Sequence, residues 1–328
     1  MYASFFSHPD IFISISTQET PRSRFVAALK WYISSFHAGK KGSIAKKPYN
    51  PILGEKFQCL FDPYENCDTP ISNSKTTPVI PYSSANHIQF LAEQVSHHPP
   101  ISAFYAEHLA NKIQFNGQIW TKSKYLGLSI GVHNIGQGVI TLLDGPGKGE
   151  EYRINFPSAY GRNILGMPWM ELGGDCNISC AKTGFNANVT FHTKPFYKGK
   201  IHRITAEAFQ PGDKKPFLKL DGEWNGDIKQ SDGQPFVNTF KIPIHRKFVP
   251  KLEKQAENES RKMWSKVTNA MKVNDIELAS EGKRFLEQRQ RDERAEREET
   301  GVSWQPVMFD KKDDLWLYKS QLSERLRK

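Results

Sequence analysis

The hydrophobic pattern divides the chain into three textures. In the first, Phe25, Leu29, Ile33 and Phe36 recur near helical spacing, with Val26, Ala28, Trp31 and Tyr32 broadening the apolar surface. Thr20 stands where a cap is needed, Pro21 suits a first helical position, and Gly39 suits a helix end. The pattern therefore predicts an N-terminal helical segment over 1–39, packed on the main core. Over 40–250 the texture changes to short apolar runs separated by Gly, Pro, Asn and Asp. Examples are His87 to Ala92, Ile113 to Trp120, Leu126 to Val132, Val139 to Leu143, Ala187 to His192 and His202 to Phe209. Ile113, Phe115 and Ile119 alternate in part, and Asn116-Gly117 reads as a bulge or bend in that run. Strands repeated without intervening amphipathic helices predict a large antiparallel sheet or barrel. A barrel of many strands need not be filled by its own side chains and can hold a ligand.

The third texture, 251–328, is helical again. Lys251 to about Lys272 is rich in Lys, Glu, Ala and Met around a bulky Trp264, and a highly charged segment runs from about Ile276 to Glu299. Its apolar heptad is poor, with Phe285 and Leu286 dominating, which argues against a coiled coil. Leu315, Trp316, Leu317 and Tyr318 read as a short returning strand. The expected fold class is β-rich α+β, a large antiparallel and nearly closed β-barrel with flanking N- and C-terminal helices, in one domain over 1–328.

Composition narrows the function classes. With 328 residues, 38% hydrophobic and 12% aromatic, the chain can build a real core, which excludes wholesale disorder. No run approaches the roughly 18 consecutive apolar residues of a membrane span. The opening residues MYASFFSHPD lack the basic start and apolar stretch of a secretory signal. Cys59, Cys67, Cys176 and Cys180 are too sparse for a disulfide framework and read as reduced thiols of a cytosolic protein. The spacing of Cys176 and Cys180, without a Cys-x-x-Cys pair or a histidine pair nearby, argues against zinc. A net charge of +10 implies an anionic partner. Without an RNP motif, zinc-finger spacing or a basic leucine-zipper region, a membrane surface fits better than nucleic acid.

Three groups of residues carry candidate chemistry. Adjacent histidines on a strand point to opposite faces, so His97 and His98 are awkward joint ligands for one metal. Pro99 and Pro100 interrupt strand pairing and allow both imidazoles to turn toward one opening. Taken locally, the pair fits structural histidines, an anion site, or metal and catalytic chemistry. A hydrolase with His97 or His98 as base would also need a nucleophile and an orienting acid. Ser96 and Glu93 are near, but no Gly-x-Ser-x-Gly elbow supports them. Lys47 and Asn50 each precede a proline and are biased to extended backbone, while Gly54 permits a turn. Locally this is either a stiff polar cradle or an ordinary loop. Lys283, Glu287 and Arg291 drift only about 80° around a helix over about 12 Å, which places them on one side. That spacing fits a salt-bridged surface as well as a binding face.

The run Glu93-Gln94-Val95-Ser96-His97-His98-Pro99-Pro100 resembles the fingerprint of the oxysterol-binding-protein-related family of lipid carriers. Lys46-Lys47-Pro48-Tyr49-Asn50-Pro51-Ile52-Leu53-Gly54-Glu55 resembles its second signature, and the Lys283, Glu287, Arg291 spacing resembles its late helix. The similarity extends through HTKPFYKGK at 192–200 and GEWNG at 222–226, nearest to the subgroup of the ninth, tenth and eleventh human members. The resemblance implies a lipid cavity inside the barrel and a phosphatidylinositol 4-phosphate headgroup held by Lys47, Asn50, His97, His98, Lys283, Glu287 and Arg291. It implies exchange for phosphatidylserine, or for a sterol, by a cytosolic carrier acting peripherally at anionic membranes and organelle contact sites. A non-transferring phosphoinositide sensor or tether is the rival expectation. No cofactor, metal or covalent step is called for, no pleckstrin-homology module is visible, and the chain is expected to start after the family's lid.

Overall fold

The computed structural model describes residues 2–37, 49–64, 78–162, 169–195 and 199–327. A 3-10 turn over Tyr2–Phe6 leads into helices α1 (Pro9–Thr17) and α2 (Pro21–Ser34). The strands follow as β1 (Lys56–Phe61), β2 (Ile88–His97), β3 (Pro100–His108), β4 (Ile113–Tyr125), β5 (Ile130–Leu142), β6 (Glu151–Asn155) and β7 (Ser158–Arg162). Next come β8 (Trp169–Ser179), β9 (Asn186–Phe191), β10 (Arg203–Phe209), β11 (Leu218–Glu223), β12 (Asp227–Gln230), β13 (Pro235–Asn238) and β14 (Lys247–Phe248). The chain closes with α3 (Ser260–Met263), α4 (Ser265–Lys272), α5 (Ile276–Thr300), the hairpin β15 (Phe309–Lys312) and β16 (Leu315–Tyr318), and α6 (Leu322–Arg325).

The first fourteen strands make one antiparallel sheet in the order β13-β12-β11-β10-β9-β8-β6-β5-β4-β3-β2-β1-β14, with β7 bonded to β5 and β8. One face, supplied by residues such as Phe90, Phe104, Phe115, Ile140, Ile178, Val189 and Leu220, gathers into a single core with α1 and α2. The sheet thus curls around the two helices. Trp31 of α2 packs on Phe6, Phe12 and Phe115, with ring centroids 5.3–5.8 Å apart. Burying each such side chain removes it from water at roughly 1.5–3 kcal/mol, which offsets the ordering of the chain.

The cap on α2 is the one the pattern predicts. Thr20 Oγ1 accepts from the Ser23 amide at 3.1 Å and Ser23 Oγ accepts from the Thr20 amide at 3.2 Å. The helix stops at Ser34, and Gly39 lies outside the described residues. Two expectations are corrected. Asn116-Gly117 makes no bulge: the ladder runs unbroken, with Asn116 opposite Val139 and Gly117 opposite Gly138. The facing glycines vacate room for the Phe115 ring, which a Cβ on Gly117 or Gly138 would approach to 2.6 or 2.4 Å. Leu126 to Val132 is a strand only from Ile130. The Leu126 amide donates to Ser129 O at 2.8 Å across a turn with Gly127 at φ +74°. Lys251 to Lys272, read as helical, comprises a 3-10 turn, α3 and α4, with the buried Trp264 between the last two.

Outside the curl, the C-terminal segment covers β2, β3 and β4. Tyr318 N donates to Asn116 Oδ1 at 3.1 Å, Trp316 N to Gln118 Oε1 at 2.8 Å, and Asn116 Nδ2 to Gln321 Oε1 at 2.8 Å. Tyr105 hydroxyl donates to Glu107 at 2.7 Å and accepts from Leu322 N at 2.9 Å, while Arg325 reaches Glu107 at 2.5 Å. Buried His108 accepts from the Asn111 amide through Nδ1 at 3.1 Å, so its Nε2 carries the proton that reaches Asn86 O at 3.0 Å. Burial pushes this imidazole down to about 4 from 6.5. The folded state holds it neutral while the unfolded chain takes up a proton first, so its contribution is full above pH 6.5 and is lost as pH falls toward 4. About 2.5 pH units at about 1.4 kcal/mol each give a loss of roughly 3–4 kcal/mol. Urea melts across that window are expected to show it, and His108→Gln to flatten that part of the slope.

Candidate functional site

The turn between β2 and β3 begins with a bulge. Gln94 pairs with Ser102 but Ser96 pairs with Ile101, so Val95 is the extra residue. One buried side chain holds it: Gln94 Nε2 donates to Ser96 O at 2.9 Å, and Ser102 Oγ donates to Gln94 Oε1 at 2.6 Å. Beyond the bulge the His97 and His98 rings meet, with centroids 4.4 Å apart and His97 Nδ1 3.2 Å from His98 Nε2. Strict strand alternation would have separated them.

A relay of hydrogen bonds ties this turn to two other segments. Leu53 N donates to Gln290 Oε1 at 3.0 Å, which leaves the Gln290 Nε2 group to donate to His97 Nε2 at 2.8 Å. Neutral His97 therefore carries its proton on Nδ1, directed at His98. Partial burial, then the neighbouring His98 and Arg294, lower the His97 pKa below its usual value. An arriving anion reverses the unfavourable charge balance by giving the protonated form an opposite charge.

The segment around Leu53 is held from both sides. Gly54 N donates to Gln94 O and Gln94 N to Glu55 O, each at 2.9 Å. Glu55 accepts from Ile52 N at 2.9 Å, Trp264 Nε1 at 3.0 Å and Ser260 Oγ at 2.5 Å. Gly54, at φ +77°, leaves space that the Trp304 ring fills, since a Cβ there would stand 2.6 Å from it. Tyr49 stacks on Trp264 at 4.5 Å, and Asn50 is exposed. Lys47 lies outside the described residues. Pro51 and Glu55 also line a cavity of about 540 Å³ with Tyr2, Phe57, Phe90 and Trp264, a size ordinary for a small-molecule site.

Helix α5 packs on α4 and on Ile52 of this segment. Asp275 caps it through Leu278 N at 2.9 Å, and Ala279, Gly282 and Leu286 bury its inner face. Gly282 allows a close approach, because a Cβ there would lie 3.0 Å from Val267. Lys283 Nζ stands 3.6 Å from Glu287 Oε1, both partly exposed. Arg291 is turned about 100° from Gln290, faces solvent, and holds Gln288 Oε1 through Nε at 3.1 Å and Nη2 at 2.9 Å. The structure thus joins His97 to the Leu53 segment through Gln290 and to His98 by ring contact, places Lys283 and Glu287 on the stripe that includes Gln290, and leaves Arg291 beside it. Gln290 and Arg294 are absent from the sequence reading. Their spacing of seven and eleven after Lys283 repeats the same helical stripe and was the available signal.

Residues 1–269 and 266–326 match the family model described as oxysterol-binding protein. The chain belongs to the oxysterol-binding protein family. Over 330 residues it is 55% identical to oxysterol-binding protein-related protein 9 of Homo sapiens, covering 99% of this chain and 44% of that protein. Human oxysterol-binding protein-related protein 11 is 44% identical, over 98% of this chain and 45% of its own length, and human protein 10 is 43% identical, over 97% and 43%. The chain spans less than half the length of these curated relatives. Its fold is similar to the Osh1 ORD domain solved in complex with cholesterol, with TM-score 0.75, 23% identity, and coverage of 99% of this chain and 80% of that one. It is similar also to the Osh3 ORD of Saccharomyces cerevisiae solved in complex with PI(4)P, with TM-score 0.71, 18% identity, and coverage of 99% and 84%. Within this oxysterol-binding protein domain the parts of the EQVSHHPP run have different tasks. Glu93 is buried and accepts from Val307 N at 2.8 Å and Met308 N at 2.7 Å, so it fastens the C-terminal segment rather than orienting a histidine for hydrolysis. Gln94 sets the bulge, and His97 meets His98 and Gln290 of α5. Among the described residues no group of His, Cys, Asp and Glu could hold a metal, and Cys59, Cys176 and Cys180 are free and buried. No described helix is long and apolar enough to cross a membrane.

Proposed function

We propose that this domain takes phosphatidylinositol 4-phosphate out of one membrane and exchanges it for a second lipid, phosphatidylserine, at another. The observation that carries the reading is the relay from Leu53 through Gln290 to His97, which links two lipid-carrier signatures and α5, while Pro51, Glu55, Glu93 and Gln94 of the same two signatures line the cavity. Phosphate monoesters carry about −1.5 to −2 charge at pH 7, which suits His97, His98, Lys283 and Arg291. Glu287, Asn50 and Lys47 complete the headgroup cradle, with Glu287 accepting from inositol hydroxyls. Acyl chains left in water would cost about 0.8 kcal/mol per methylene, so the cavity takes them during transit. Residues 1–328 act as one lipid-binding domain in this reading, peripheral to membranes in the cytosol and at organelle contact sites. The chemistry is binding and release, with no bond made or broken in the lipid.

Phosphatidylserine as the second lipid rests on similarity to human proteins 9, 10 and 11. The cholesterol complex of the Osh1 ORD domain favours a sterol as the alternative. The headgroup cradle is tested by calorimetry with short-chain phosphatidylinositol 4-phosphate. Lys283→Ala is expected to weaken binding about tenfold or more, the worth of one charge-assisted hydrogen bond of about 1.5–3 kcal/mol, and Lys46→Ala to do much less. Equal losses would point to a diffuse basic surface instead.

A further inference from the structure

The hairpin between β4 and β5 outruns β3 on one side, while on the other β7 pairs with it at Ile130 to Val132. Ile101 of β3 pairs with Trp120, and the preceding residues Pro100 and His97 pair with each other at the β2–β3 turn. From Thr121 to Tyr125, β4 therefore continues past the His97–Pro100 turn, bonded only to β5 as far as Ile130. At about 3.4 Å per residue, its tip reaches about 17 Å beyond the end of β3, on the same end of the sheet as the two histidines.

That tip is apolar where solvent would favour polar residues. Tyr125 is 69% exposed and Leu128 60%, with Leu126 and Ile130 also exposed. The turn holds them there through the Leu126 to Ser129 bond, and nothing lies near the Cβ position of Gly127. Exposed Lys122 and Lys124 stand just behind, and residues 121–134 contain no acid. An exposed protein contact would leave the choice of charge open. An apolar, aromatic-bearing tip backed only by cations matches an anionic bilayer, with Leu side chains in the acyl boundary, Tyr at the headgroups and Lys on the phosphates.

We propose that the β4–β5 tip is a membrane-docking element that inserts Leu126 and Leu128 into an anionic lipid surface and so turns the His97/His98 end of the sheet toward it. Only the second half, the orientation toward a lipid headgroup, rests on the function proposed above. The test uses vesicles of phosphatidylcholine with and without phosphatidylglycerol, free of phosphoinositide, phosphatidylserine and sterol so that none of the proposed cargo lipids is present. Partition of the intact chain is expected to require phosphatidylglycerol and to weaken with salt. Leu126→Ser/Leu128→Ser is expected to lower it about tenfold or more, from the apolar area no longer buried. Lys122→Gln and Lys124→Gln are expected to lower it roughly fivefold each. Leu128→Trp gives a positive readout: its emission, taken as the difference from the wild-type chain with its 7 tryptophans, shifts to the blue on phosphatidylglycerol vesicles and stays solvent-like on phosphatidylcholine alone. Calorimetric binding of short-chain phosphatidylinositol 4-phosphate is expected to be unchanged in the tip variants, which separates this idea from the headgroup reading. Full partition of the double serine variant, or a solvent-like Leu128→Trp on bound vesicles, overturns the proposal. So does binding lost through exposed Val273→Ser but kept in the tip variants, which would move docking to the α4–α5 turn.

Discussion

Replacing His97 and His98 together by alanine is expected to abolish extraction of phosphatidylinositol 4-phosphate while leaving the domain folded. The two rings lie 4.4 Å apart on a turn, with His97 half-buried and His98 exposed, so little core packing depends on them. In the folded variant Gln290 loses its 2.8 Å partner but keeps the Leu53 amide at 3.0 Å, so the α5 contact survives. Binding suffers more. Hydrogen bonds to a charged phosphate contribute about 1.5–3 kcal/mol each, and losing two removes a factor of roughly a hundred or more. Far-ultraviolet circular dichroism and a urea melt check the fold, and a vesicle sedimentation assay checks extraction. Undiminished extraction by a folded double variant would reject the histidine site.

The largest effect on stability is expected at Arg24, far from the site. This side chain is 2% exposed and holds Glu150 with two hydrogen bonds, Nε to Oε2 at 2.9 Å and Nη2 to Oε1 at 2.6 Å. Its remaining nitrogen donates to the carbonyls of Gln18 and Glu19, at 3.0 and 2.8 Å, and so closes the α1–α2 corner. Tyr152 donates a further bond to Glu150 at 2.5 Å. Arg24→Met strands a buried carboxylate, and such single breaks cost about 3–5 kcal/mol. Adding Glu150→Gln removes the stranded charge and is expected to recover a large part of that loss. Urea midpoints of the wild type, single and double variants check both statements. A loss below about 1 kcal/mol in Arg24→Met, or no recovery in the double variant, would show that the pair carries little.

Much of the architecture was written in periodicity. The Phe25, Leu29, Ile33 stripe, the Thr20 cap and the Leu315–Tyr318 strand are local patterns, and local patterns survive folding. What failed was non-local. Gly117 reads as a bend until Gly138 is set opposite it and both are seen to make room for Phe115. Asn116 and Gln118 carry no local mark of a partner, yet they receive the backbone of the C-terminal hairpin 202 and 198 residues later. At the candidate site, the signature histidines and the α5 stripe were visible as motifs. The Gln290 bond that joins them spans 193 residues and has no local mark. Glu93 shows the reverse: it lies inside the strongest motif, and its partners make it a fastening for the chain's end.

The central claim is that the domain removes a phosphoinositide from a bilayer rather than resting on it. Its most direct test incubates the chain with liposomes containing phosphatidylinositol 4-phosphate, sediments them, and assays lipid and protein in the supernatant. The account predicts phosphatidylinositol 4-phosphate in the supernatant, approaching one molecule per protein and displaced when phosphatidylserine or a sterol is supplied. Protein that sediments with the liposomes and leaves no phosphoinositide in solution would contradict carriage and establish a membrane sensor.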